Sequence, residues 1–247
     1  RVLAPGGTTI GNSGYGAFTQ TGGTVTVENY LYIGFYASGE GRYALGGGEL
    51  TFTNACYILV GHNGKGTLRL GETNGTGALV KGNAGVNFYV RNVETSDGTI
   101  EGWGSMPQLY LQNNGRVVAD GYGTDRTLDL STLATLSAKK ATLSYSSTHG
   151  WFARNRSALR LKDIAAAANF CWGDIYTSFG QTLLNQPLVN SVKFACTGAS
   201  GTLTGRLLAA DHGGVPPGLD RVLSVWDFSG VTAAAATVTI RYDDLAA

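Results

Sequence analysis

Gly14-Tyr15-Gly16-Ala17-Phe18, Gly39-Glu40-Gly41-Arg42-Tyr43 and Gly64-Lys65-Gly66-Thr67-Leu68 are one pattern written three times, each copy 25 residues after the last. The paired glycines Gly22-Gly23 and Gly47-Gly48 keep the same offset, and so do Val25 with Leu50 and Val27 with Phe52. Ile10-Gly11, Ile33-Gly34 and Val60-Gly61 recur in the same order with looser spacing. Several landmarks repeated in one order at this spacing mark a stacked-repeat architecture. The residue types choose strands over helices. Thr24-Val-Thr-Val and Leu50-Thr-Phe-Thr alternate apolar and polar with a period of two, and glycine interrupts the chain every few residues. The pattern predicts a β-solenoid in which each coil holds two or three short strands joined by glycine turns. Phe18, Tyr43 and Leu68 form one internal ladder, while Ala17, Arg42 and Thr67 face solvent.

Weaker coils continue through Val86-Asn-Phe-Tyr-Val, Gly98-Thr-Ile, Leu109-Tyr-Leu and Arg116-Val-Val. About four to five coils fit this span at one coil per repeat. Glycine then thins: 27 of the 37 lie in residues 1–123 and 10 in residues 124–247. That shift places a boundary near 119–124 and divides the chain into a β-solenoid over 1–119 and a second part over 120–247. The second part alternates in longer segments, among them Ser191-Val-Lys-Phe-Ala-Cys, Gly201–Leu208 and Thr237–Tyr242. It reads as an antiparallel β-sandwich. The fold class expected is therefore all-β.

The junction Asn114-Gly-Arg-Val-Val-Ala-Asp-Gly-Tyr-Gly-Thr-Asp-Arg-Thr-Leu-Asp-Leu comes after the glycine-rich coils. Further on come Gly150-Trp-Phe-Ala, Leu188-Val-Asn-Ser-Val, Val225-Trp-Asp-Phe-Ser-Gly-Val and Thr239-Ile-Arg-Tyr-Asp-Asp-Leu-Ala-Ala. Together these phrases resemble large secreted proteins of planctomycete-type bacteria. Such proteins carry autotransporter-like β-strand repeats and often end in an exosortase-type sorting segment. The resemblance implies an extracellular or cell-surface location after removal of a signal peptide. It carries over no catalytic residue.

The formal net charge is +1 and only 14% of residues are charged. Neither nucleic acid nor an anionic membrane finds an electrostatic footprint here. No apolar run is long enough to span a bilayer. His62, His149 and His212 are far apart in sequence, with no ligand-spaced Cys or carboxylate, so no metal and no cofactor is expected. Glu40 and Glu49 share one coil and are the one carboxylate pair worth weighing for polysaccharide cleavage against solvated turn acids. Asp120, Asp125 and Asp129 cluster at the junction, either around a structural calcium or as turn caps paired with Arg126 or Arg241.

Aromatic residues are more suggestive. In Tyr30-Leu31-Tyr32-Ile33 the alternation turns Tyr30 and Tyr32 outward, and a period of 25 places Tyr57 beside Tyr32. Such a face suits a protein interface, glycan stacking, or packing beneath a loop. Of the three cysteines, Cys171 and Cys196 share the second half and form the candidate disulfide. Strand parity speaks against it, because Cys196 follows Val192 and Phe194 on one face while Cys171 lies opposite Phe170 and Trp172.

These features lead to a non-enzymatic extracellular structural protein that self-associates into a filament, sheath or surface layer as a homo-oligomer or homopolymer. A surface adhesin holding glycans on Tyr30, Tyr32 and Tyr57 is the second reading, and a polysaccharide-active enzyme the third. Thr237-Val-Thr-Ile-Arg-Tyr is a candidate strand donor for assembly, or else an internal strand of the sandwich.

Overall fold

The computed structural model describes residues 2–53, 57–72, 75, 77–82, 87–92, 97–106, 110–113, 116–130, 150–154, 157–161, 167–174, 190–197, 200–208, 217, 225–232 and 234–242. The chain is all-β, and no helix occurs among the described residues. It winds in circuits. The first is β1 (Val2–Ala4), β2 (Thr8–Ile10) and β3 (Tyr15–Gln20). The second is β4 (Thr24–Val27), β5 (Tyr30–Ile33) and β6 (Glu40–Leu45), and the third β7 (Glu49–Phe52), β8 (Tyr57–Val60) and β9 (Lys65–Leu70). Two more follow: β10 (Ala78–Gly82), β11 (Asn87–Asn92), β12 (Asp97–Gly102), then β13 (Gly104–Ser105), β14 (Tyr110–Asn113), β15 (Arg116–Asp120). Each circuit gives one strand to each of three sheets, and neighbouring strands within a sheet pair in parallel.

The register rests on an inside row. Phe18 pairs with Tyr43, Tyr43 with Leu68, Leu68 with Ile100, and Ile100 with Val117. Tyr43, Leu68, Ile100 and Val117 are buried, and Ala17 and Arg42 on the alternate parity are exposed, as expected. Phe18 differs. It stays 37% exposed against 1% for Tyr43. A stacked side chain is covered from both sides, and Phe18, in the first circuit, is covered from one. Its ring stands edge-on to Tyr43 at 5.1 Å. Gln20 takes the place that Leu45 and Leu70 hold in later circuits. Its Oε1 accepts the Tyr43 hydroxyl at 2.6 Å, and its Nε2 donates to the carbonyls of Gly23 and Glu49. A polar group in this row is tolerated because both ends of the amide are satisfied.

The repeated glycines stand where backbones nearly touch. Gly34 has φ +74°, and a side chain there would strike the carbonyl of Lys65 in the next circuit. Gly41 faces the carbonyl of Ile10 as closely. The Ile-Gly and Gly-x-Gly phrases are thus two sides of one corner.

The sheets do not stop at 119–124. β16 (Arg126–Asp129) pairs in parallel with β13, and β17 (Gly150–Arg154) pairs in parallel with β15. β18 (Ser157–Leu161) and β19 (Ala167–Asp174) continue these two sheets, again in parallel. One hydrophobic core runs from Ile10 through Ala119 to Leu159. This corrects the antiparallel sandwich expected over 120–247. Alternation and strand length carry no information on strand direction, and the first strands of this region follow the repeats before them. Antiparallel pairing enters only with β20 (Asn190–Thr197) against β19 and β21 (Ser200–Leu208) against β18. β22 (Val225–Thr232) then lies antiparallel on β21, and β23 (Ala235–Tyr242) antiparallel on β20. Among the described residues two sheets hold nine strands each and the third holds five, from β2 to β14.

Candidate functional site

The aromatic face forms on the second circuit. Leu31 and Ile33 are buried, while Tyr30 and Tyr32 are half-buried on the outer side of β5. Their rings stack at 4.5 Å, and Tyr32 stacks in turn on Phe35 at 4.8 Å. Phe35 stacks on His62 at 5.0 Å, and Tyr36 meets Phe35 edge-on. Phe35 and His62 escaped the sequence reading, although both directly follow a corner glycine, Gly34 and Gly61. The register also corrects the place of Tyr57. It pairs with Tyr30, an offset of 27, and Leu59 pairs with Tyr32. Residues 53–56 separate β7 from β8, whereas only 28–29 separate β4 from β5, so the longer corner slides this sheet by two residues. Tyr57 is placed by its backbone register, and its side chain lies outside the described residues.

The stack decides what this face can do. A sugar ring packs on the flat face of an aromatic ring. Here Tyr30, Tyr32, Phe35 and His62 turn flat faces toward one another, while Tyr36 at the side of the stack stays exposed. Tyr30 also lies over Gly7, where a Cβ would overlap its ring.

A second cluster pins the junction. The Arg126 guanidinium lies 4.2 Å from the Trp103 ring centroid, and its Nη1 donates to the Glu72 carbonyl, which also accepts from Trp103 Nε1. Arg69 Nε donates to the Tyr122 hydroxyl at 3.1 Å. That hydrogen bond raises the Arg69 pKa, and burial raises the Tyr122 pKa. Tyr122 adopts φ +48°, and its N–H donates to Asp120 Oδ1. These contacts fasten residues 120–126 to the third and fourth circuits.

The acids are engaged structurally. Glu49 accepts from Lys81 Nζ at 2.7 Å and from Thr51 at 2.6 Å, and those two bonds hold its carboxyl below the usual range. Glu40 and Glu49 sit on different sheets, in β6 and β7, and are not brought together. Asp120 caps the Tyr122 turn, and Asp129 pairs with Arg160; the Arg241 side chain lies outside the described residues. Among the described residues no group of three His, Cys, Asp or Glu side chains gathers at a metal-holding distance. His149 and His212 lie outside the described residues. Cys171 pairs in register with Lys193 and Cys196 with Ala168. Three strand positions separate the two cysteines, about 10 Å along the strand. A disulfide spans Cα atoms no more than about 7 Å apart. The register does not bring the two together.

The remaining feature is the pair of sheet ends. Among the described residues, β1, β2 and β3 each have a strand on one side only, and so do β22 and β23 at the far end. Val2 is 51% exposed where its partner Val25 is 9%, and Leu3, Tyr15 and Val238 are exposed as well. Thr237–Tyr242 therefore lies in an edge strand, β23. In comparisons with known proteins, no family model, no curated protein and no solved structure matches this chain.

Proposed function

We propose that the chain is a non-enzymatic extracellular structural protein, a β-solenoid that self-associates through its sheet edges into a filament, sheath or surface layer. The observation that carries this reading is the exposure of a row at the edge that is buried one circuit further in, Phe18 against Tyr43 and Val2 against Val25. Open edges are templates for strand addition, and soluble proteins usually blunt them with charges, proline or bulges. β1 and β3 contain neither a charged residue nor proline. A net charge of +1 adds little repulsion between copies. The extracellular placement follows the resemblance to planctomycete-type secreted proteins. Glycan binding ranks lower, because Tyr30 and Tyr32 use their ring faces on each other and on Phe35.

Light scattering and native mass measurement on the 247-residue chain test the proposal. Mass should rise with concentration and survive moderate salt, since backbone pairing and apolar contact drive the association rather than charge. A monomer that persists at high micromolar concentration would refute it.

A further inference from the structure

Resting on the self-association reading, the strand directions specify how copies meet. In one nine-stranded sheet β3, β6, β9, β12, β15, β17 and β19 all run the same way. β20 runs against β19, and β23 runs against β20. Two reversals restore the original direction, so β23 points the same way as β3. The other nine-stranded sheet repeats the arrangement. β1, β4, β7, β10, β13, β16 and β18 are parallel, β21 reverses, and β22 reverses again. Both sheets therefore end, at both edges, in strands of one direction.

We infer that copies join head to tail, with β23 of one copy lying parallel beside β3 of the next and β22 beside β1. This arrangement extends both sheets with the same parallel pairing they use internally and needs no inversion of either partner. The inside row agrees with it. From Val117 the backbone register continues through Trp151, Trp172 and Val192 to Ile240 on β23, a column of apolar residue types from one edge to the other. The facing edges are nearly free of charge: β1 and β3 have none, β22 has Asp227, and β23 has Arg241. Among the described residues the third sheet runs from β2 to β14, and these two edge strands gain no partner. A head-to-head pair would cover the first circuit and leave β22 and β23 open. A head-to-tail contact leaves one free edge of each kind on every assembly and grows without closing unless rotation forms a ring.

Half-blocked copies test the inference. Phe18→Lys places a charge on the β3 edge, and Val238→Lys places one on the β23 edge, where Val238 is 52% exposed. Circular dichroism checks that each variant keeps its strand content, and Ala17→Glu, at an exposed β3 position opposite Arg42, replaces Phe18→Lys if it does not. Native mass should find each variant alone as a monomer. An equimolar mixture should give a 1:1 dimer of twice 25.8 kDa and nothing larger, because one intact edge of each kind remains. A discrete dimer of Val238→Lys alone would overturn the head-to-tail arrangement while leaving self-association standing, and so would a mixture that stays monomeric. A monomeric wild-type chain would refute self-association itself.

Discussion

Truncating Tyr43 and Phe18 to alanine, one at a time, should give unequal losses of stability although the two residues are direct partners in one row. Tyr43 is fully buried between Phe18 above and Leu68 below. Tyr43→Ala leaves a ring-sized cavity and should cost about 3–5 kcal/mol. Phe18 keeps over a third of its surface in water and has one ring neighbour, Tyr43 at 5.1 Å. Its loss should cost about 2 kcal/mol, part of it the edge-to-face contact of about 0.5–1.5 kcal/mol. The hydroxyl separates in the same way. Tyr43→Phe keeps the ring but strands Gln20 Oε1, which accepts at 2.6 Å, and should cost about 1–2 kcal/mol. Gln20→Leu copies the Leu45 and Leu70 positions but strands the Tyr43 hydroxyl. The double variant should therefore lose less than the sum of the two singles. Urea unfolding at concentrations below the onset of association measures all five, with unchanged m-values as the check on two-state comparison. A Phe18→Ala loss equal to that of Tyr43→Ala would refute the view of Phe18 as an edge residue. Additive losses for Gln20 and Tyr43 would refute their coupling.

Gly34→Ala should destabilise by more than about 1 kcal/mol, because φ is +74° and the Lys65 carbonyl occupies the space a methyl group needs; Gly22→Ala, with nothing near it, should be close to neutral in the same thermal melts. Glu49 has its carboxyl pKa lowered, so its contribution is present above the ordinary carboxylate range and is lost as pH falls through the folded value. The pair is exposed, so Lys81→Met should remove about 0.5 kcal/mol or less, and with it that part of the acid-limb slope. Burial raises the Tyr43 phenol above its usual range, so its contribution is intact below about pH 10 and declines as pH rises further. Tyr43→Phe should accordingly flatten the alkaline limb of a stability–pH profile, and an unchanged limb would argue against the burial. Arg126→Ala, which removes the Trp103 contact at 4.2 Å, should cost about 1 kcal/mol in urea unfolding.

The sheet containing β3, β6 and β9 was legible to the residue, because the offset stays at 25: what the corner before β8 gains, the corner after it gives back. The sheet containing β5 and β8 was not, because two extra corner residues leave no mark on the alternation that locates a strand. Gln20 could have been found from the sequence alone: it stands 25 residues before Leu45 and 50 before Leu70, a polar residue in an apolar column. The Arg126–Trp103–Glu72 cluster joins residues 31 and 54 apart along the chain and has no periodicity to reveal it.

The fall in glycine content near residue 120 measures how often the chain turns a tight corner. Three-sheet circuits of about 25 residues turn three times, and the backbone approaches at Gly34 and Gly41 explain why glycine serves there. Beyond β18 the described strands lengthen, β19 to β23 each spanning eight or nine residues. Fewer corners per residue need fewer glycines, so composition changes while the sheets run on: Asp120, at the expected boundary, pairs with Arg154 beyond it. The same change sets the two ends apart. The first circuit presents three short strands, whereas the far end presents β22 and β23, long strands that two reversals have turned back to the direction of the repeats. An end that differs in outline from its opposite but matches it in strand direction is suited to meet the other end of a second copy, which is the arrangement that an unblunted edge at Phe18 leaves open.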